Sequence, residues 1–270
     1  MLHRLKLDTI KYTAIAQINL QNSLAYAGEL AYRSIFMVVI LYVFVQLWRA
    51  TYRAVGTDTI AGLTFRDTLW YLVMTETLIL SKLRFANKMS EEVKDGSLAY
   101  TISRPYNYLL YHWAYGLGDT LLRLGINFAA GTLLVTALVG PMPFNAVYTL
   151  PLIVSIALAL VLDFCIEGLI GLSAFVTEDV GSVQLIYSKF LFILGGMLIP
   201  LDFFPGWLKD VSLILPFNYL MYAPARLFVQ FGWARWLNVV TMQMVWLGVF
   251  GLALWALFRV GLRRVSINGG

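Results

Sequence analysis

Residues 236–258, WLNVVTMQMVWLGVFGLALWALF, carry no charged side chain and lie between Arg235 and Arg259. About 20 predominantly apolar residues in a helix cross the hydrocarbon core of a bilayer, so this stretch reads as a membrane span. A second charge-free stretch runs from Leu124 to Leu162 and is too long for one crossing. Gly140, Pro141 and Pro143 break it into a hairpin with limbs near 119–139 and 146–174. Weaker spans are expected at 30–50, 67–84 and 182–201, with Arg33, Glu76 or Lys189 inside or at an end. The expected fold class is an all-α membrane protein with six transmembrane helices.

Composition points the same way. Hydrophobic residues make up 60% of the chain and charged residues 13%, against roughly 45–50% and about 25% in soluble domains. That excess apolar surface calls for lipid as solvent. The net charge of +5 reads as basic loops facing anionic headgroups rather than as a nucleic-acid surface. Cys165 is the single cysteine, which excludes an intrachain disulfide, and His3 and His112 are far apart in sequence, so no metal site is expected. Residues 1–28 hold Arg4, Lys6, Asp8 and Lys11, then Gln17, Asn19, Gln21 and Asn22, with no apolar core of a signal peptide. The first span is therefore expected to serve as an uncleaved insertion signal.

Orientation follows from the loop lysines and arginines. With the N-terminus inside, the cytoplasmic segments hold Arg4, Lys6, Lys11, Lys82, Arg84, Lys88, Lys94, Arg104, Lys189, Arg259, Arg263 and Arg264. The other side holds Arg49, Arg53, Arg66, Lys209, Arg226 and Arg235. This excess places both termini in the cytoplasm, and Trp48, Trp70, Trp207, Trp233 and Trp236 near the outer interface. In residues 1–28, Leu7, Ile10, Ala14 and Ile18 share one helical face, as expected of an amphipathic helix lying in the cytoplasmic leaflet. A plain tail is the alternative.

Three further segments carry polar information. In 84–112, Phe85, Met89 and Val93 form a narrow apolar stripe on a charged helix, Lys88 and Glu92 are an i,i+4 pair, Gly96 ends the helix, and Pro105 starts the next. Either a solvated loop or a docking element for a soluble partner accounts for this pattern. In 195–235, Gly195, Gly196, Pro200, Pro205, Gly206, Pro216 and Pro224 punctuate apolar stretches too short to cross. Backbone at membrane depth must be buried in protein or face water, so a pair of short re-entrant helices beside an outer gate fits, as does an interfacial loop. Within the spans, Asp163 and Glu167 share a face of the fourth, Arg123 lies in the third and Glu76 in the second. Such groups face the bundle interior and pair. A structural pairing of Arg123 with Asp163 or Glu167 is one reading, and a polar or proton path is the other. Glu76 also fits a protonated group hydrogen-bonded between helices.

No G-x-x-x-x-G-K-[ST], G-x-S-x-G, H-E-x-x-H or G-x-G-x-x-G string occurs, and Ser173 in Gly171-Leu-Ser-Ala-Phe175 lacks the second glycine of a nucleophile elbow. The chain is expected not to be an enzyme and to contain no catalytic residue.

The order of a basic N-terminus, six spans, Glu92-x-x-x-Gly96-x-Leu98 followed by Arg104-Pro105, and the outer string Gly196-Met-Leu-Ile-Pro200-Leu-Asp-Phe-Phe-Pro205-Gly-Trp207 is distinctive. The string continues into Leu215-Pro216-Phe217-x-Tyr219 and Pro224-Ala-Arg226. Together these features resemble the permease subunits of bacterial type-2 ATP-binding-cassette exporters across essentially the whole chain. Asp163 and Glu167 are outside the pattern that carries the resemblance. The resemblance implies a multi-pass protein of the bacterial inner membrane, paired with the same or a related permease. It also implies an ATPase subunit dimer that supplies the ATP and Mg chemistry, leaving this chain without a cofactor. Residues 1–28 would be the connecting helix, 29–262 the transmembrane domain and 263–270 a cytoplasmic tail. The loop 84–107, with Lys88, Glu91, Glu92, Gly96, Leu98, Arg104 and Pro105, would contain the coupling helix, with Glu178 and Asp179 as a second contact. The outer segment 200–230 would close the exit, with Gly196, Pro200, Phe204, Pro205, Trp207, Pro216 and Tyr219 at the gate. An ion- or proton-coupled carrier using Asp163, Glu167 and Glu76 is one rival, and an envelope-assembly scaffold that passes no solute is another.

Overall fold

The computed structural model describes residues 2–142, 145–177 and 179–268, with side chains throughout except at 2–8, 27, 30, 31, 33 and 262–268. Pro143 and Glu178 lie outside the described residues. The chain is almost wholly helical. In order the helices are α1 (Leu2–Ala25), α2 (Ala27–Val55), α3 (Phe65–Ser81), α4 (Phe85–Lys94), α5 (Ser97–Ser103), α6 (Tyr108–Val139), α7 (Thr149–Leu172), α8 (Ala174–Thr177), α9 (Gly181–Ile193), α10 (Gly206–Ile214), α11 (Tyr222–Val229) and α12 (Trp233–Asn268). A two-residue antiparallel hairpin pairs Thr59–Ile60 with Leu63–Thr64 between α2 and α3.

Among the described residues, four helical stretches, 34–55, 108–139, 146–177 and 233–261, are long and apolar enough to cross a membrane. The protein is thus an all-α, multi-pass membrane protein. The other two expected spans form shorter helices, α3 with 17 residues and α9 with 13. Burial explains the weak apolar signal of α3. It is enclosed by α2, α6 and α11, and its residues from Thr68 to Leu78 are all buried. A helix walled by protein need not present an apolar face to lipid, so Thr68, Thr75, Thr77 and Glu76 are accommodated there.

Local chemistry sets several boundaries. Thr64 caps α3 reciprocally with Asp67, Gly56 ends α2 at φ 71°, and Gly96 takes φ 74° where α4 hands over to α5. Gly96 is the expected terminator. Pro105 does not start the next helix: Asn107 caps α6, its side chain accepting from Leu110 N, and α6 begins at Tyr108. That start is well before the expected 119, because the first turns of α6 bury Tyr108, His112 and Ala114 against other elements rather than facing lipid. At the far end, α12 continues as helix to Asn268, so most of the expected tail 263–270 is helical.

The bundle has two ends. At one, Arg66 Nε donates to Val139 O at 3.2 Å, Gln230 Nε2 to Gly62 O at 3.0 Å, and Tyr148 stacks on Phe231 at 4.2 Å. At the other, Tyr108 stacks on Phe258 at 5.5 Å and Lys94 bonds Asp179 at 2.9 Å. The connections 56–64, 140–142 with 145–148, and 194–232 gather at the first end, and 82–107, 173–177 and 179–180 at the second.

Helix α1 lies along the first half of α6. Asn107 N donates to Tyr12 Oη at 3.0 Å, Asn19 Nδ2 donates to Tyr115 O, and Gly118 presses on the α1 backbone, where a Cβ would stand 2.5 Å from Ala16 O. The face packed on α6 thus carries Tyr12, Ala16, Asn19 and Leu20, while Ile10, Ala14 and Ile18 of the expected apolar face are exposed.

Candidate functional site

At the second end of the bundle, α4 and α5 form a hairpin seated on α7. The expected stripe is present: Phe85 and Met89 are fully buried, with Val93 packed beside them. Phe85 stacks on Phe164 at 4.7 Å. Small residues on α7 admit this close approach, since a Cβ on Gly171 would stand 2.9 Å from Met89 Sδ and 3.3 Å from Ala86 Cα.

Charge fastens the hairpin more specifically than packing does. Glu167 Oε2 accepts from Ala86 N at 3.1 Å, so a carboxylate on α7 satisfies a free amide in the first turn of α4. Lys82, just past α3, places Nζ 2.8 Å from Glu167 Oε1 and 3.3 Å from Asp163 Oδ1. Gln184 Nε2 donates to Glu167 Oε1 at 2.7 Å, and Tyr187 Oη donates to Asp163 Oδ1 at 2.5 Å, both from α9. One buried cluster thus joins the end of α3, the start of α4, α7 and α9. Asp163 and Glu167 do share a face and do pair, but with Lys82. Arg123 is not their partner and instead binds Asp119 one turn earlier on α6. Sequence reasoning counted Lys82 only among the basic residues of the cytoplasmic segments; the basic residue at the end of an expected span gave no sign of pairing with Asp163 and Glu167. Glu76 is buried apart from this cluster, its Oε1 without a hydrogen-bond partner among the described residues.

The remaining hairpin residues divide into two sets. Glu92 points inward: Tyr108 Oη donates to its Oε2 at 2.8 Å, and His112 Nε2 lies 3.4 Å from Oε1. Burial pushes the Glu92 carboxyl up, but the facing His112 imidazole and the Tyr108 hydroxyl outweigh it and hold the group below the usual range. The expected Lys88–Glu92 pair is therefore replaced by Lys88–Glu91 at 3.6 Å on the outer face. Leu98 is buried, whereas Lys88, Glu91, Gly96, Arg104 and Pro105 are exposed, with Arg104 over the Tyr100 ring at 4.4 Å. Asp179 binds Lys94 across from α4, and that bond holds its carboxyl below the ordinary value. The two loop segments singled out in the sequence thus meet.

At the first end, Gly196 adopts φ 65° and its carbonyl accepts from Tyr71 Oη, while Met197 O accepts from Thr75 at 2.9 Å. After Pro200 come a 3-10 turn over Leu201–Phe203, Phe204 and Pro205, then α10 with Trp207 exposed. Pro216 opens a second 3-10 turn whose Tyr219 Oη donates to Leu213 O at 3.1 Å, and Asn218 Nδ2 donates to Leu215 O at 2.7 Å. Helix α11 is buried along its whole length against α3 and α7. Asp202 ties these pieces together, accepting from Arg226 Nε at 2.9 Å and Tyr222 Oη at 3.1 Å. The segment contains two short helices, α10 and α11. Of the tryptophans placed at the outer interface, Trp207 and Trp233 are exposed, while Trp48 and Trp70 are core residues, Trp48 packing on Phe203.

A helical bundle with four stretches able to span lipid and a charged hairpin seated at one end defines a class, the multi-pass membrane protein. Residues 35–269 match the family model described as ABC-2 family transporter protein, and the chain belongs to that family. It is accordingly a transmembrane permease of an ABC transporter, a component whose family implies partnership with an ATPase subunit and is generally not itself catalytic. A search of curated proteins found no match to this sequence.

Proposed function

We propose that this chain is the permease subunit of an exporter in a bacterial inner membrane, working as a dimer with an identical or related permease. The drive would come from closure of a separate ATPase dimer, which holds ATP and Mg; this chain itself needs no cofactor. Six crossings with both ends on one side are supported by the connections between α2, α3, α6, α7, α9 and α12 alternating between the two ends of the bundle, and the excess of lysine and arginine in the segments on that side makes it the cytoplasmic one. On this reading α1 is the connecting helix, its exposed Ile10, Ala14 and Ile18 turned to the leaflet. The short helices α10 and α11 are the pair at the outer gate: α11 is shielded by protein along its whole length, as a non-spanning segment at membrane depth requires, while α10 is largely exposed and lies at the surface.

The observation that carries the proposal is the hairpin α4–α5. It offers Lys88, Glu91, Tyr100 and Arg104 to solvent while Glu167 holds its first turn from inside. A push on the exposed face is therefore delivered through Ala86 and Lys82 to α7, α9 and the end of α3. Such a push shifts an inward–outward equilibrium only by the difference in contact energy between the two states. The carrier rival draws no support from Asp163 and Glu167, since both are engaged by Lys82 and further donors, the mark of a structural joint.

The test is copurification and stimulated ATP hydrolysis with the ATPase subunit in liposomes. Replacing Gly96 by Pro imposes φ near −65° where +74° is needed, and reversing charge at Lys88 and Glu91 alters the exposed face. Both changes are expected to insert normally and to lose ATPase stimulation. Unchanged binding and stimulation in both would overturn the coupling role.

A further inference from the structure

Helices α6 and α7 are consecutive limbs of a hairpin, yet they barely touch. Helix α6 packs on α1, α2 and α3, and α7 on α12, α4 and α11. Their divergence leaves a cavity of about 710 Å³, walled by Leu124, Phe128 and Met142 on one side and Ile153 and Ile156 on the other, with Phe228 of α11 at the back. The α7 wall runs from Thr149 to Leu160, roughly 16 Å along the helix axis, about the depth of one leaflet. Apart from threonines such as Thr77 and Thr132, whose buried hydroxyls have no hydrogen-bond partner among the described residues, the lining is hydrocarbon.

The mouth of the cleft is chemically different. Arg66 precedes the lining residue Trp70 by one turn on the same face of α3, and its side chain is exposed. Only Nε is engaged, by Val139 O, and no carboxylate pairs with the guanidinium among the described residues. Gly140 leaves it room, for a Cβ there would stand 2.8 Å from Arg66 Nη2. An unpaired guanidinium above an apolar slot one leaflet deep has the form of a phosphate over an acyl chain.

We propose that this cleft binds one glycerophospholipid from the leaflet on the Arg66 side, its phosphate on Arg66 and one acyl chain between α6 and α7. The lipid completes the contact that the two helices do not make with each other, and it is distinct from any exported cargo. Native mass spectrometry of the full chain in detergent, titrated with dioleoylphosphatidylglycerol or with dioleoylglycerol, tests this. Wild type is expected to hold one phospholipid in preference to the diacylglycerol. Ala157→Trp, which fills the slot from an exposed position, is expected to lose it. Arg66→Gln, which removes the guanidinium and with it the exposed bond to Val139 O but no buried side chain, is expected to weaken it about tenfold and to abolish the preference for phosphate. Equal binding of the two lipids by wild type, or unaltered stoichiometry in both variants, overturns the proposal. So does a wild-type dimer that Ala157→Trp converts to monomer, which would identify the occupant as a second copy of the chain.

Discussion

Lys82 Nζ stands 2.8 Å from Glu167 Oε1 with both side chains buried, so the end of α3 and the body of α7 are held by a charge pair. Asp163 and Glu167 bring two acidic groups to a single ammonium, and hydrogen bonds from α9 and from the α4 backbone share the remaining demand. Removing Lys82 strands two carboxylates. Lys82→Met is expected to cost about 3–5 kcal/mol, the usual price of breaking a buried pair from one side. Adding Asp163→Asn and Glu167→Gln to that change is expected to recover part of the loss. Thermal unfolding of the detergent-solubilised chain checks both, and a single change without effect would mean the cluster is solvated.

Gly171 sits where α4 crosses α7, with Met89 and Ala86 against it. Gly171→Leu is expected to lift the hairpin from α7. Overpacking of this kind costs about 1–3 kcal/mol. Limited proteolysis within 85–103 is expected to speed up while the spans stay protected, and ATPase stimulation is expected to fall.

Glu92 supplies a pH dependence. Its folded pKa lies below the ordinary glutamate value of about 4.3. The carboxylate form therefore stabilises the hairpin above that value, and the contribution disappears as pH falls through the folded pKa. Glu92→Gln is expected to lower stability by about 1.5–3 kcal/mol near neutrality, as loss of hydrogen bonds to a charged group does. The gap between variant and wild type is expected to narrow as pH falls below the ordinary glutamate value and through the folded pKa. A gap that does not change with pH anywhere in the acid range would show that the charge contributes nothing.

Arg226 and Asp202 form the buried pair that holds the segment after α9 to α11. Arg226→Met leaves Asp202 with Tyr222 and Lys209 as partners, so the expected loss is near the low end for a buried pair, about 3 kcal/mol. Hydrogen exchange over 200–230 is expected to accelerate, with the hairpin α4–α5 unaffected.

Where lipid or solvent is the immediate neighbour, the sequence was readable. The charge-free runs at 124–162 and 236–258, the break at Gly140-Pro141, the stripe Phe85, Met89, Val93 and the stop at Gly96 all answer to local rules of length, period and backbone conformation. Where the neighbour is another part of the chain, reading failed. The face of Glu92, the partner of Arg123, the burial of Lys82, Trp48 and Trp70, and the early start of α6 all depend on what packs opposite.

The amino-acid sequence alone determined that this chain dissolves in lipid, that it is helical and that a charged hairpin interrupts its spans, because transfer free energy and helix propensity act residue by residue. Only the tertiary structure decided which charges meet. An ion pair between residues some eighty positions apart is set by helix crossing and register, and the sequence encodes these only through the sum of all packing contacts.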